Sequence, residues 1–328
     1  MAGRRTNLAL LWASVLALAT GAAAFLVGTP SGAWVVVAHG VVSLAIVVLS
    51  PWKTVIVGRG LTRRRTGRWL SMGLTAAILL VLATGVLLVT GQVEEVGGLT
   101  MMQLHVGFGL LVVSLTLAHT LQRPVPHRAA DLSRRNVLHA GGLLAAAAGL
   151  WVLIEGILDV ALVPGRERRF TGSHEIIDAA LVPATQWIND SVQHLGHDSH
   201  EIDILGTVHT VAEIEAGGDT VEATLDCTGG WFTTQDWSGT RLDRLIRPDA
   251  GMSVVVRSVT GYWRRFPIGQ VDRLLLATHI AGRPLPDGNG GPVRLVATDR
   301  RGYWWVKWVS AIEVDERPPW WQPPLPTA

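Results

Sequence analysis

The sequence predicts a membrane-embedded bundle of five helical spans followed by a separate α+β domain outside the bilayer. Three observations predict this. The chain has 328 residues, 48% hydrophobic and only 16% charged, with a mean hydropathy of +0.32, too apolar for a wholly water-soluble protein. Its uncharged runs crowd into the first half, while most acidic residues fall in the second. The second half instead carries short β-rich runs punctuated by Gly, Pro and Asp. This length suffices for two domains. The formal net charge of +2 is too small to suggest a nucleic-acid partner, and the basic residues cluster between apolar runs, as lipid-bilayer topology requires.

Five runs approach the ~20 apolar residues that cross a bilayer. They are Leu8–Gly28, Trp34–Ser50, Leu70–Thr90, Leu104–Leu121 and Leu138–Leu158, in a membrane domain spanning 1–160. The connecting segments alternate in charge. The N-terminus has Arg4 and Arg5, the second loop Lys53, Arg59, Arg63, Arg64, Arg65 and Arg68, and the fourth Arg123, Arg128, Arg134 and Arg135. The first loop is uncharged and the third has only Glu94 and Glu95. Positive charge marks the cytoplasmic side. The N-terminus is therefore expected inside, and everything after Leu158 outside, placing the protein in the cell membrane.

The fifth span opens with Ser133-Arg-Arg-Asn-Val-Leu-His139 and a Gly/Ala-rich run. This looks like a twin-arginine export signal, here internal. Such a signal implies two routes: general insertion machinery for the first four spans and the twin-arginine machinery for a domain exported already folded. No cleavage site follows, so the fifth span is expected to remain as an anchor. A plainer reading is that two arginines end a cytoplasmic loop.

Histidines inside spans point to function. His105 and His119 are 14 residues apart. On one helix that is ~21 Å of rise and about 40° short of four turns, one face near opposite membrane surfaces. The spacing recurs in b-type cytochromes, where imidazoles take axial positions of a haem. His39 should meet His105 at the outer level, and His119 should meet His139 at the inner one. This predicts one or two b haems, the outer pair being favoured. Gly40, Gly107 and Gly109 would admit a porphyrin. Alternatively, His119 and His139 only flank the bilayer.

The expected outer domain spans 165–316, with strands in Glu201–Ile214, Thr220–Asp226, Met252–Val259, Val293–Thr298 and Trp304–Val314. No Gly-rich nucleotide loop lies between a strand and a helix, which excludes a Rossmann reading. His194, His197 and His200 have ligand-like spacing, flanked by Asp190, Asp198 and Glu201; zinc and a polar surface loop both fit. The tail 317–328 is rich in Pro and Trp and carries no assigned chemistry. Cys227 is the only cysteine. It cannot form an internal disulfide, leaving a buried inert thiol, a nucleophile or a soft-metal ligand.

Several stretches recur together: Leu225-Asp-Cys227-Thr-Gly-Gly-Trp231, Trp237-Ser-Gly239-Thr-Arg-Leu242, Gly282-Arg-Pro-Leu-Pro286, Asn289-Gly-Gly-Pro-Val-Arg294 and Lys307-Trp-Val-Ser310. In this order and spacing they resemble the molybdopterin-binding domain of the sulfite oxidase superfamily, over about Arg169 to Val314. The methionine-sulfoxide reductase catalytic subunits look like the nearest branch, and the whole chain is similar to actinobacterial five-span anchored members. The resemblance implies a sulfite oxidase-type fold with molybdenum bound by the Cys227 thiolate beside the pterin. It implies that Asn289, Arg294 and Lys307 hold the pterin phosphate. Arg and Lys suit this because they do not titrate near neutral pH. Thr171, His174 and Glu175 match a segment that contacts the cofactor. Arg264 and Arg265 match a region lining the site, facing an anionic substrate, the pterin or water.

Two departures weigh against sulfite as substrate. Sulfite oxidases have basic residues soon after the cysteine, where this chain has Thr228-Gly-Gly-Trp231, and they append a dimerisation domain for which no sequence remains. The resemblance to the nearest branch implies a molybdenum oxidoreductase that reduces an S- or N-oxide, either a small molecule or an oxidised side chain. Membrane haem would exchange its electrons with the quinone pool or another membrane carrier. Oxidation of a sulfite-type substrate is the runner-up, and a non-catalytic module on a haem-free anchor is the rival from another class.

Overall fold

The computed structural model describes residues 2–61, 68–122, 124–125, 128–186, 191–247 and 251–324. The loop charges Arg63, Arg64, Arg65 and Arg123, the side chain of Arg59, and Asp190 lie outside the described residues. The chain divides into two compact units, Met1–His174 and Glu175–Ala328.

The first unit is built on α1 (Ala2–Leu26), α2 (Ala33–Leu61), α3 (Arg68–Thr90), α4 (Met101–Gln122) and α5 (Arg134–Val160). All five are long and apolar enough to cross a membrane. Large apolar side chains such as Leu79, Leu110, Leu117 and Val152 are exposed on them. Helices apolar all round are stable in a hydrocarbon solvent, where each helix satisfies its own backbone. Four of the expected spans lie within these helices, the first overruns α1 by two residues, and α2 runs beyond Ser50 through Pro51 to Leu61. Hydropathy marks where apolar residues stop, whereas backbone hydrogen bonding continues past the first charges. A small hairpin, β1 (Glu95–Val96) with β2 (Leu99–Thr100), joins α3 to α4.

Several charges in this unit are paired. Glu155, within α5, meets Arg168 at 2.5 Å, so its carboxylate is neutralised. Arg4 meets Asp131 at 2.5 Å, which brings the start of α1 and the turn before α5 to the same end of the bundle. Ser133 occupies the N-cap position of α5, with Arg134 and Arg135 in its first turn.

A two-residue strand, β3 (His174–Glu175), lies where the chain passes from the first unit to the second, and in the second Ile176 N–H donates to the Phe232 carbonyl at 2.8 Å. There follow β4 (Glu201–Ile204), β5 (Thr207–Thr210), α6 (Val211–Ala216), β6 (Asp219–Asp226) and β7 (Trp231–Arg241). Then come β8 (Ser253–Ser258), β9 (Trp263–Pro267), β10 (Leu274–Ile280), β11 (Arg283–Pro284), β12 (Arg294–Ala297) and β13 (Val309–Asp315). One sheet runs β11–β10–β7–β3, with β12 also on β10 and β6 also on β7; the other runs β5–β4–β13–β8–β9. Fully buried Trp237, Leu276, Val306 and Ile202 contribute to a shared core.

Two of the expected runs hold β8 and β12 within their bounds, β6 begins one residue before Thr220, and two runs divide. Glu201–Ile214 is a hairpin and then helix α6, because Thr210 and Glu213 form a capping box that starts a helix. Trp304–Val314 becomes strand only at Val309, after a 3-10 turn over Gly302–Trp304. Strands β7, β9 and β10 were not expected from pattern. In β7, Gln235, Asp236 and Ser238 interrupt the apolar positions, and β10 is apolar at nearly every residue, so neither alternates.

Candidate functional site

Cys227 begins the four-residue connection between β6 and β7. Its N–H donates to the Trp231 carbonyl at 2.9 Å, and Gly230 N–H donates back to the Cys227 carbonyl at 3.3 Å. Gly230 adopts φ 92°, a left-handed conformation natural to glycine. Gly229 N–H donates to Cys227 Sγ at 3.3 Å. The cysteine keeps partial surface exposure because one side opens to a cavity, while protein atoms pack closely round the sulfur. Burial pushes the thiol pKa up, and the Gly229 N–H, the Thr185 hydroxyl, Lys307 and Arg301 pull it back.

The cavity joins segments far apart in sequence: Thr185, Cys227, Thr228, Tyr262, Asn289, Arg294, Tyr303 and Lys307 all line it. Trp231 Nε1 donates to Thr185 Oγ1 at 2.9 Å, fixing the 182–186 segment over the turn. Asn289 Nδ2 donates to the Val182 carbonyl at 3.2 Å. Lys307 Nζ donates to the Thr185 and Gly288 carbonyls at 2.9 and 2.7 Å. Gly290 has φ 101°, and a Cβ there would stand 2.9 Å from Lys307 Cγ, so this close turn requires glycine.

Arg294 is the most telling side chain. It is 2% exposed, stacked on Trp237 and Trp305 at 5.3 and 5.5 Å, and donates from Nη1 to the Asn289 carbonyl at 2.7 Å. Its buried Nε has no hydrogen-bond partner, and no carboxylate pairs with it among the described residues. Burial lowers its pKa to about 10, opposed by the nearby Cys227. A buried guanidinium is costly unless paired. One left without a carboxylate beside a cavity fits an anionic ligand, as the phosphate of a pterin cofactor is. Together with a thiol and the Lys307 ammonium, this donor set suits a molybdenum–pterin group.

The structure brings Cys227, Asn289, Arg294 and Lys307 to one cavity and leaves other expected residues outside it. Arg264 and Arg265 do not line it. Both lie buried in β9: Arg264 Nε donates to the Tyr262 hydroxyl at 2.6 Å, and Arg265 pairs with Asp315 at 2.8 Å. They are corrected to supporting residues. Neighbours on a strand face opposite ways, and here both faces of β9 are covered: Arg264 stacks on Tyr262 and Tyr303, and Arg265 reaches Ser253 and Asp315. Thr171 donates to Ser173 Oγ at 3.3 Å and His174 Nε2 to the Leu88 carbonyl at 2.8 Å, both within the first unit; Glu175, in the second, is exposed and does not line the cavity.

His194, His197 and His200 diverge. They engage Asp287 at 2.6 Å, Glu215 at 2.9 Å and the Val309 carbonyl at 2.7 Å respectively. The tail lies along β9, where Gln322 and the Arg265 backbone exchange two hydrogen bonds, at 3.0 and 2.8 Å.

In the first unit, His39 and His105 face each other with ring centroids 6.0 Å apart. His119 Nδ1 lies 3.5 Å from Ser71 Oγ, and His139 is exposed. Gly40 accommodates the Trp151 ring, while Gly107 and Gly109 face open space; the glycines beside the histidine rings are Gly21 and Gly85.

Sequence reasoning missed Arg301 and both tyrosines. Arg301 forms a fully buried ion pair with Asp226 at 2.5 Å, directly beneath Cys227. The acidic residue preceding the cysteine was the available signal, since a buried carboxylate needs a cation. The chain has only two tyrosines, Tyr262 and Tyr303, and both line the cavity. The Tyr262 hydroxyl donates to the Tyr303 carbonyl, and burial raises its pKa to about 12.

Residues 190–321 match the family model of the oxidoreductase molybdopterin binding domain. No curated protein matches the chain. Among solved structures, the sulfane dehydrogenase SoxCD from Paracoccus pantotrophus is similar at 22% identity and a TM-score of 0.36, over 38% of this chain and 40% of that one. The chain thus spans about two-fifths of that protein's length. The family match identifies a molybdopterin-binding domain of oxidoreductase type, and hence an enzyme.

Proposed function

We propose that the protein is a membrane-bound molybdenum oxidoreductase whose second unit lies outside the cytoplasm and reduces an S- or N-oxide. Electrons reach it from the quinone pool or another membrane carrier through haem in the first unit. The observation that carries this reading is the cavity that unites the Cys227 thiol with Lys307 and the carboxylate-free Arg294. When bound, a molybdenum–pterin group supplies two-electron oxygen-atom exchange. Two electrons and two protons convert a sulfoxide to a sulfide and water, or an N-oxide to an amine and water.

The chain's own residues prepare that chemistry. Cys227 Sγ would bind the metal, and the Gly229 N–H on the sulfur favours its thiolate. Arg294 and Lys307 would hold the cofactor's anionic end, with Asn289 fixing the turn between them. The Asp226–Arg301 pair anchors the base of the Cys227 turn. Burial raises the Tyr303 pKa, so its hydroxyl stays protonated and can donate to a substrate oxygen. Arg264 acts one step back: it holds Tyr262, which in turn holds the Tyr303 backbone.

A panel of sulfoxides, N-oxides and sulfite, added to full-length protein in membranes, tests the reaction. The proposal expects an S- or N-oxide to oxidise dithionite-reduced haem. Sulfite reducing oxidised haem, with no response to any oxide, reverses the direction. For topology, replacing Arg134 and Arg135 together by Lys should keep the second unit in the cytoplasm, read by protease protection in spheroplasts. Normal export of that variant rejects the internal twin-arginine signal.

A further inference from the structure

Helices α1–α4 repeat one helical hairpin. A shift of 64 residues carries Leu18-Ala-Thr-Gly21 of α1 onto Leu82-Ala-Thr-Gly85 of α3, and a shift of 66 carries His39 of α2 onto His105 of α4. Burial follows the same shifts, pairing Ala13 with Ala77, Val35 with Met101 and Ile46 with Val112.

The contacts repeat too. His39 Nδ1 lies 2.9 Å from the Ala17 carbonyl and 3.4 Å from Thr20 Oγ1. His105 Nδ1 lies 3.0 Å from the Val81 carbonyl and 3.4 Å from Thr84 Oγ1. Each threonine donates back to its own helix, to Leu16 at 2.7 Å and Leu80 at 2.8 Å. A Cβ on Gly21 would stand 3.0 Å from His39 Cε1, and one on Gly85 would stand 3.1 Å from His105 Cε1. In both hairpins, glycine lets the imidazole sit against the neighbouring helix.

We infer that the two hairpins are copies of one ligand-presenting unit and together hold a single haem b between His39 and His105, with Thr20 and Thr84 as positioning residues. This rests on the haem arm of the proposed function and adds its ligands, its number and its supports. An iron bonded to two imidazoles sets their ring centres about 6 Å apart, from a metal–nitrogen bond of about 2 Å and about 1 Å of ring on each side. The observed separation is 6.0 Å, with the ring planes at 87°. A backbone carbonyl can only accept, so Nδ1 of each ring carries the proton and Nε2 keeps the lone pair that binds metal. Neither Nε2 has a hydrogen-bond partner among the described residues.

The repeat also fixes the number. His119 lies 14 residues beyond His105, and the residue 14 beyond His39 is Lys53. These equivalent positions meet equivalent partners: Lys53 Nζ donates to Asn7 Oδ1 at 2.9 Å, and His119 Nδ1 lies 3.5 Å from Ser71 Oγ. Asn7 and Ser71 are themselves 64 residues apart. A protonated lysine has no lone pair for iron, so the repeat supplies no second ligand at the inner level, and His139, the other histidine expected there, is exposed.

The test uses full-length protein from haem-replete cells, with haem measured by pyridine haemochrome against protein. One haem per chain is expected. It should be lost in His39→Gly and in His105→Gly, and retained in His119→Ala and His139→Ala. Added imidazole should restore the low-spin spectrum of the glycine variants, which separates lost ligation from misfolding. Thr20→Val and Thr84→Val should keep haem, and both should raise its midpoint potential, because a weaker hydrogen bond at Nδ1 makes a less basic ligand for ferric iron. Two haems per chain, or haem surviving both histidine replacements, overturns the inference while leaving a haem-coupled function standing. No haem in the wild-type protein overturns both.

Discussion

The two units gather their candidate functional side chains in opposite ways. In the first, His39 and His105 sit mid-helix, and each is supported by the helix beside it. In the second, Thr185, Cys227, Asn289 and Lys307 sit on connections between strands, drawn together by two sheets from across more than a hundred residues. Helix-borne groups follow from periodicity, because rise and rotation per residue are fixed. Connection-borne groups follow only from the whole fold.

The largest expected effect separates the units. Cys227→Ala should abolish oxide-dependent haem oxidation while leaving haem content unchanged; loss of haem from that variant would show that the two sites do not assemble independently. Next is the ion pair beneath the turn. Arg301→Met leaves Asp226 buried without a cation and should destabilise the second unit by about 3–5 kcal/mol. Thermal unfolding with the double variant Arg301→Met/Asp226→Leu checks this, since removing both charges should recover most of the loss.

Arg294→Met and Lys307→Met come third. A hydrogen bond to a charged group contributes about 1.5–3 kcal/mol, so each should weaken pterin retention roughly ten- to hundredfold, measured by cofactor release on dilution. Equal retention in both variants and wild type would remove the anion-binding role. The smallest effect concerns acid stability. The Arg317 N–H and then Arg265 hold the Asp315 carboxyl below its usual pKa. A carboxylate whose folded pKa is depressed stabilises above its unfolded pKa, and the effect is lost as pH falls through the folded value. Asp315→Asn should therefore be less stable than wild type at neutral pH, with the gap closing below about pH 4.

The same contrast explains what the sequence revealed. Five helices long and apolar enough to cross a membrane were legible from their uncharged runs. The meeting of His39 and His105 was legible from their positions along the helices, yet their supports, Thr20 with Gly21 and Thr84 with Gly85, become visible only once α1 packs on α2 and α3 on α4. In the second unit, Cys227, Asn289, Arg294 and Lys307 were found through a resemblance rather than through periodicity. Arg264 and Arg265 were also singled out through the resemblance, and only the fold shows that β9 buries both among protein groups. Arg301 and Tyr303 were missed because their value depends on a turn folding back onto Cys227, where Gly302 approaches within contact distance of the Cys227 backbone.

The central claim is that the Cys227 sulfur binds molybdenum in this cavity. X-ray absorption at the molybdenum edge, comparing wild type with Cys227→Ser, tests it most directly. The account predicts one fewer sulfur neighbour on molybdenum in the variant, with the remaining sulfurs unchanged. An identical sulfur count in both proteins would contradict it.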